Sequence, residues 1–107
     1  MQFVKEYNMN VKKNFSDEEI RHLSERFKVL SEPSRLKILR SLFDGEKCVT
    51  EIIDATGLMQ ANVSKQLKIL QKNGIVDSRA VGLQRIYSVK DFTVLKICNI
   101  FCGISNN

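Results

Sequence analysis

Cys98 and Cys102 stand four residues apart near the end of the sequence. On a helix that spacing puts both thiols on one face. Two thiolates so placed suit As(III), Sb(III), Zn(II) or Cd(II), with a third ligand from elsewhere. They also suit a redox sensor, which needs an accessible thiolate and a partner thiol. A disulfide between residues four apart on one helix is strained, so a distant or cross-subunit partner fits better. A third reading is that both fill the helix core, since free cysteine packs as a small hydrophobe. Cys48 lies apart, within Glu46-Lys47-Cys48-Val49-Thr50-Glu51-Ile52, and reads as a small semi-buried residue at a helix start. Three cysteines, an odd count at irregular spacing, argue against a secreted disulfide framework and for reduced thiols at synthesis.

A second group lies between residues 60 and 68. Val63 and Leu67, with Leu70 beyond, form an apolar stripe at helical spacing. Gln60, Ala61, Asn62, Ser64, Lys65, Gln66 and Lys68 then make up the exposed polar side of the same helix. Amides bond adenine edges in pairs, and lysine reaches guanine or phosphate. Such a face on its own is an ordinary solvated one. Its neighbours change that reading. Arg79, Gln84 and Arg85 stand on or near a following hairpin, placed to meet a nucleic-acid backbone or minor groove.

The elements that position these groups follow from caps and periods. Ser16 with Glu19 makes a capping box, and Ile20, Leu23, Phe27 and Leu30 give helix 1 its apolar face, about Asp17 to Leu30. Pro33 opens helix 2, which carries Leu36, Ile38, Leu39, Leu42 and Phe43. Helix 3 covers roughly Val49 to Ala55, with Val49, Ile52 and Ile53 as core residues, and Gly57 supplies the turn after it. Helix 4 runs from about Gln60 to Lys72, and Asn73-Gly74 stops it. The period then falls to two: a strand from Ile75 to Ala80, a turn at Val81 to Gln84, and a return strand from Arg85 to Val89. A last helix from Asp91 to about Cys102 carries Leu95, Ile97, Ile100 and Phe101. The expected fold is therefore mainly α with a β-hairpin wing, a winged helix-turn-helix in the order ααααββα. Residues 1–15 form a flexible arm in this reading, and residues 16–104 one domain.

The totals bound the reading further. The chain has 107 residues, enough for one compact domain, and 43% are hydrophobic. The net charge of +5 suits a polyanion, though many soluble proteins share it. No apolar run approaches the roughly 18 residues of a membrane helix, and Met1 to Lys13 lacks the apolar core of a secretory signal. A cytoplasmic protein without membrane partners is expected. There is no nucleophile–base pairing, no phosphate-cradling glycine loop and no paired-cysteine zinc knuckle, so no enzyme is expected. His22, the one histidine, sits among charged residues of helix 1 and reads as solvated.

Three stretches carry a resemblance. Leu30-Ser31-Glu32-Pro33-Ser34-Arg35-Leu36-Lys37-Ile38-Leu39 resembles the helix 2 opening of the ArsR/SmtB repressors. Val63-Ser64-Lys65-Gln66-Leu67-Lys68-Ile69-Leu70, with Asn73-Gly74-Ile75-Val76, is similar to their recognition helix and first wing strand. Gly82 with Arg85-Ile86-Tyr87-Ser88-Val89 resembles the wing return. The resemblance implies a homodimer built on the first and last helices, bound to an imperfect palindrome in double-stranded DNA. It also implies release by a metal, metalloid or redox signal acting on cysteine or histidine, with no cofactor required for DNA binding.

Several positions depart from the family pattern. Met59 stands where the family often has Ser or Thr as N-cap, and Thr50 replaces the second thiol of the family's cysteine-valine-cysteine box at Cys48. The alternative Asp/His site on the last helix is disfavoured, because Asp91 is present but Thr93 stands where a His is expected. Two functions from different classes remain. One is a repressor released through Cys98 and Cys102, with Cys48 as a further candidate, by arsenite-like metalloids, a divalent metal or reactive sulfur. The other is a winged helix that only assembles proteins.

Overall fold

The computed structural model describes residues 14–103. Helix α1 spans Asp17–Leu30 and α2 spans Pro33–Leu42. A two-residue strand β1, Lys47–Cys48, leads into α3, Val49–Thr56. Helix α4 covers Gln60–Lys72, β2 covers Val76–Val81 and β3 covers Gln84–Val89. Helix α5, Phe92–Cys98, runs on into a π-helical turn, Asn99–Gly103. Most of the arm expected over residues 1–15, and residue 104, lie outside the described residues.

Each boundary has a local cause. Ser16 Oγ accepts from the Glu19 N–H at 3.1 Å while Glu19 Oε1 accepts from the Ser16 N–H at 2.9 Å, the reciprocal box read in the sequence. At α2 the capping acceptor is Glu32, whose carboxylate takes the N–H groups of Ser34 and Arg35, the two residues that follow Pro33 in the first turn. Gly57 ends α3 at φ +73°, a left-handed conformation that suits glycine. Gly82, at φ +61°, occupies the first place of the two-residue β2–β3 loop, where such hairpins favour glycine.

The expected order needs one correction. It reads α1-α2-β1-α3-α4-β2-β3-α5, because β1 adds a third strand to the hairpin in the order β1-β3-β2. Lys47 faces Tyr87 and Cys48 faces Ile86. Two residues are too few to show alternation, so the strand left no periodic signal.

The core gathers where α2, α3, α4 and the base of the hairpin meet. Ile38, Leu39, Ile52, Val63, Leu67, Leu70, Ile75 and Val76 are fully buried, with Val94 of α5 beneath them. The last helix differs from expectation here. It ends as regular α-helix at Cys98 rather than about Cys102, Val94 is its buried residue, and Ile100 and Phe101 of the π-helical turn are exposed. Helix α1 buries only Leu30, and Ile20, Leu23 and Phe27 remain about half exposed. The ion pair between Arg26 and Asp91 ties α1 to the start of α5.

Candidate nucleic-acid interface and thiol groove

Helix α4 rests on α3 and α2 through Val63, Leu67 and Leu70. Ile52 of α3 fills the angle between the two helices of the motif. This leaves Gln60, Ala61, Ser64, Lys65 and Lys68 exposed along one side. Neither lysine has an acidic partner among the described residues. Met59 occupies the N-cap with no side-chain hydrogen bond and is 80% exposed, in line with the missing Ser or Thr. The first-turn N–H groups of α4 therefore lack a side-chain acceptor, an arrangement that suits an anion such as phosphate.

Two residues of the expected face are placed otherwise. Gln66 is only 6% exposed. Its Oε1 accepts from Arg35 Nη1 at 2.8 Å and its Nε2 donates to Asn62 Oδ1 at 2.9 Å. Asn62, half-buried, donates from Nδ2 to Ser34 Oγ at 3.2 Å, and Arg35 Nε donates to the Val29 carbonyl at 2.6 Å. This chain of polar contacts bolts α4 to the opening of α2. The expected exposure of Gln66 is thus corrected, and Asn62 is a tether with only part of its surface open. The sequence did hold a signal. Gln66 stands three residues after Val63 and four before Leu70, on the inner stripe itself. Ser34 and Arg35 are the bolt residues that periodicity could not single out.

The hairpin divides its polar residues between two faces. Arg79 pairs across from Ile86, Ala80 from Arg85 and Val81 from Gln84. Side chains alternate along a strand, so Arg79 and Gln84 share one face and Arg85 takes the other. Arg85 donates to Ser78 Oγ at 3.0 Å and 3.2 Å. Arg79 is engaged by Glu46, whose carboxylate lies 2.5 Å away in a surface pair.

The cysteines separate into two places. Cys48, buried, sits in β1 as the N-cap of α3, and its N–H donates to Glu51 Oε1 at 2.9 Å. That backbone bond, aided by the Cys48 thiol, holds the Glu51 carboxyl below its ordinary range. Cys98 and Cys102 instead line a groove between α2 and α5 of about 370 Å³, with Leu36, Lys37, Arg40, Phe43 and Asn99. Burial pushes the Cys98 thiol up, and the neighbouring Cys102 pushes it further. Among the described residues no three cysteine, histidine or acidic side chains converge as a metal cluster. Asp91 serves α5 as N-cap, accepting from the Thr93 N–H at 3.0 Å, and His22 is exposed as expected. No helix among the described residues is long and apolar enough to cross a membrane.

Comparison with known proteins fits this geometry. A family model described as bacterial regulatory protein, arsR family, matches residues 32–78. An uncharacterized HTH-type transcriptional regulator of Methanocaldococcus jannaschii is 38% identical over 78 residues, covering 72% of this chain and 88% of that one. The chain spans between 57% and 61% of four further curated relatives that it matches. The crystal structure of the antimony-specific transcriptional repressor AntR superposes with a TM-score of 0.80 at 27% identity, covering 94% of this chain and 92% of that one. The homodimeric winged helix-turn-helix DNA-binding domain Mb0332 of Mycobacterium bovis superposes at 0.73 with 26% identity, covering 89% and 91%. These are regulators rather than enzymes, and the chain belongs to the ArsR/SmtB family of winged helix-turn-helix transcriptional repressors.

Proposed function

We propose that the chain binds a palindromic operator as a homodimer and leaves it when a thiol-directed signal acts at Cys98 and Cys102. The observation that carries the DNA reading is the exposed, unpaired face of Gln60, Ala61, Ser64, Lys65 and Lys68 on a helix braced from behind. That face enters the major groove, and the free first-turn N–H groups of α4 take a phosphate. Arg79, Gln84 and Arg85 flank it on the two faces of the wing. Asn62 contributes its remaining open edge, and Gln66 acts only by holding the helix.

The signal is a metalloid such as As(III) or Sb(III), or a divalent metal. The fold neighbour named as antimony-specific supports that choice. A second reading, oxidation or reactive sulfur at the same thiols, is favoured by the absence of a three-donor cluster among the described residues. Cys48 stays outside the site in both, since it is buried as a helix cap.

Fluorescence anisotropy of a labelled operator duplex tests the DNA half. Lys65→Ala and Arg85→Ala should each weaken binding and lower the log–log salt slope by about 1, with the dimer intact. Unchanged affinity in both overturns the placement of helix and wing. Release by panels of metals and oxidants tests the other half. Cys98→Ser and Cys102→Ser should abolish release and Cys48→Ser should not, whereas release that persists in all three rules out thiol sensing.

A further inference from the structure

The thiol groove has a charge that neither DNA binding nor metal ligation requires. Lys37 and Arg40 lie one turn apart on the exposed side of α2 and line the groove opposite Cys98 and Cys102. Among the described residues neither cation has an acidic partner. Asn99 adds an amide, and Leu36 and Phe43 give the groove an apolar wall. Its volume of about 370 Å³ falls within the range of small-molecule sites. A second cavity, about 390 Å³, lies on the α1 side of the same thiols and is walled by Phe27, Leu30 and Ile97, with no lysine or arginine. The two thiols thus stand between an apolar cavity and a cationic one. Cys102 is the more exposed of the pair and sits in the π-helical turn, a local distortion frequent at functional sites.

We propose that the α2–α5 groove admits small anions carrying a sulfur–sulfur bond, selected by Lys37 and Arg40 for attack by Cys102. This rests on the thiol-directed reading above and names its ligand class. Cys102 loses its proton to solvent, and the thiolate sulfur attacks one sulfur of the bound anion. A protein–ligand sulfur–sulfur bond forms as the ligand's own bond breaks. The departing half leaves as a thiolate, so Cys102 is oxidised and that half reduced. The cations hold the incoming anion and the departing thiolate through charge, which weakens as salt rises. Oxidised cellular thiols with carboxylates and inorganic polysulfides share this chemistry, and the mass they add to the protein tells them apart.

The dimer of the 107-residue chain is treated with dithiobis-nitrobenzoate, a dianion, and with dithiodipyridine, which is neutral. Rates are followed by the released thiol and the modified residue by mass spectrometry. The rate ratio of anion to neutral reagent should fall about tenfold in the Lys37→Gln/Arg40→Gln variant and about as much in high salt. Lys37→Arg should keep the ratio, and Cys102→Ser should remove the fast phase. Glutathione disulfide and inorganic tetrasulfide are then compared by added mass. A ratio indifferent to the two cations, or modification confined to Cys48, overturns the proposal. Operator release is scored separately. A charge-selective reaction without release leaves the groove standing and sinks the switch, while release without charge selectivity does the reverse.

Discussion

Arg35 brings a permanent charge to a half-buried seat, where Gln66 Oε1 and the Val29 carbonyl accept from it. Removing the glutamine takes the acceptor from Arg35 Nη1 and the donor from Asn62 Oδ1, and leaves the guanidinium only its Nε bond to the Val29 carbonyl. Gln66→Leu should therefore cost about 1–3 kcal/mol of stability, read from urea denaturation. Gln66→Glu keeps an acceptor for Arg35 and should recover most of the loss. Equal stability of the leucine variant and wild type would show that the bolt contributes nothing. Glu46 poses the opposite case. Its pair with Arg79 is exposed, and such pairs contribute little to stability. Yet it holds Arg79, the wing cation proposed to meet the duplex, and its own charge repels phosphate. Glu46→Gln should leave the denaturation midpoint unchanged and tighten operator binding about threefold at low salt, with the gain fading as salt rises. Weaker binding would place Arg79 away from the duplex. Side-chain placement was legible where periodicity spoke and misread where residue type was allowed to overrule it. Gln66 sits on the inner stripe with Val63 and Leu70, and its polarity alone suggested solvent.

The helices were legible because their ends carry chemistry. Ser16, Pro33, Gly57 and Asn73-Gly74 stop or start elements at the residues where the structure stops or starts them. What escaped was structure without a local cause. Strand β1 exists because β3 offers it an edge, and two residues cannot announce a partner that lies 40 positions ahead, from Lys47 to its opposite Tyr87. The end of α5 is similar. Cys98 to Cys102 continues an apolar helical pattern, but the backbone turns to π geometry where the core runs out. Among the described residues Met59 is the one α-helix start with no cap chemistry, and there the sequence showed the gap itself. Met59→Ser should supply the missing acceptor and raise stability by about 0.5–1 kcal/mol, as a higher denaturation midpoint at unchanged slope. No gain would mean that the first-turn N–H groups are already satisfied in the folded protein.

Among the described residues, one side of the molecule carries large apolar side chains that the subunit leaves exposed. Ile20, Leu23 and Phe27 of α1 stay about half exposed, Leu23 and Phe27 on the side toward α5, and Ile100 and Phe101 stand out from the turn after α5, with Phe101 74% exposed. Clusters of large apolar side chains left in water mark an interface. The spacing of the α1 residues was plain in the sequence, but spacing says only that a face is apolar, not whose surface covers it. A second copy is the fitting cover, because a palindrome needs two recognition helices related by a twofold axis and the Mycobacterium bovis neighbour is homodimeric. The full chain should sediment at twice its own mass. Leu23→Glu puts a charge in the middle of that contact at a residue already 45% exposed, so it should yield a folded monomer with native helix content. Each monomer then meets one half-site alone and loses the avidity of the linked pair. Operator affinity should fall by about two orders of magnitude or more, while binding to an isolated half-site stays as weak as before. A Leu23→Glu protein that remains dimeric and holds the full operator would move the interface off α1, and with it the distance between the two recognition helices.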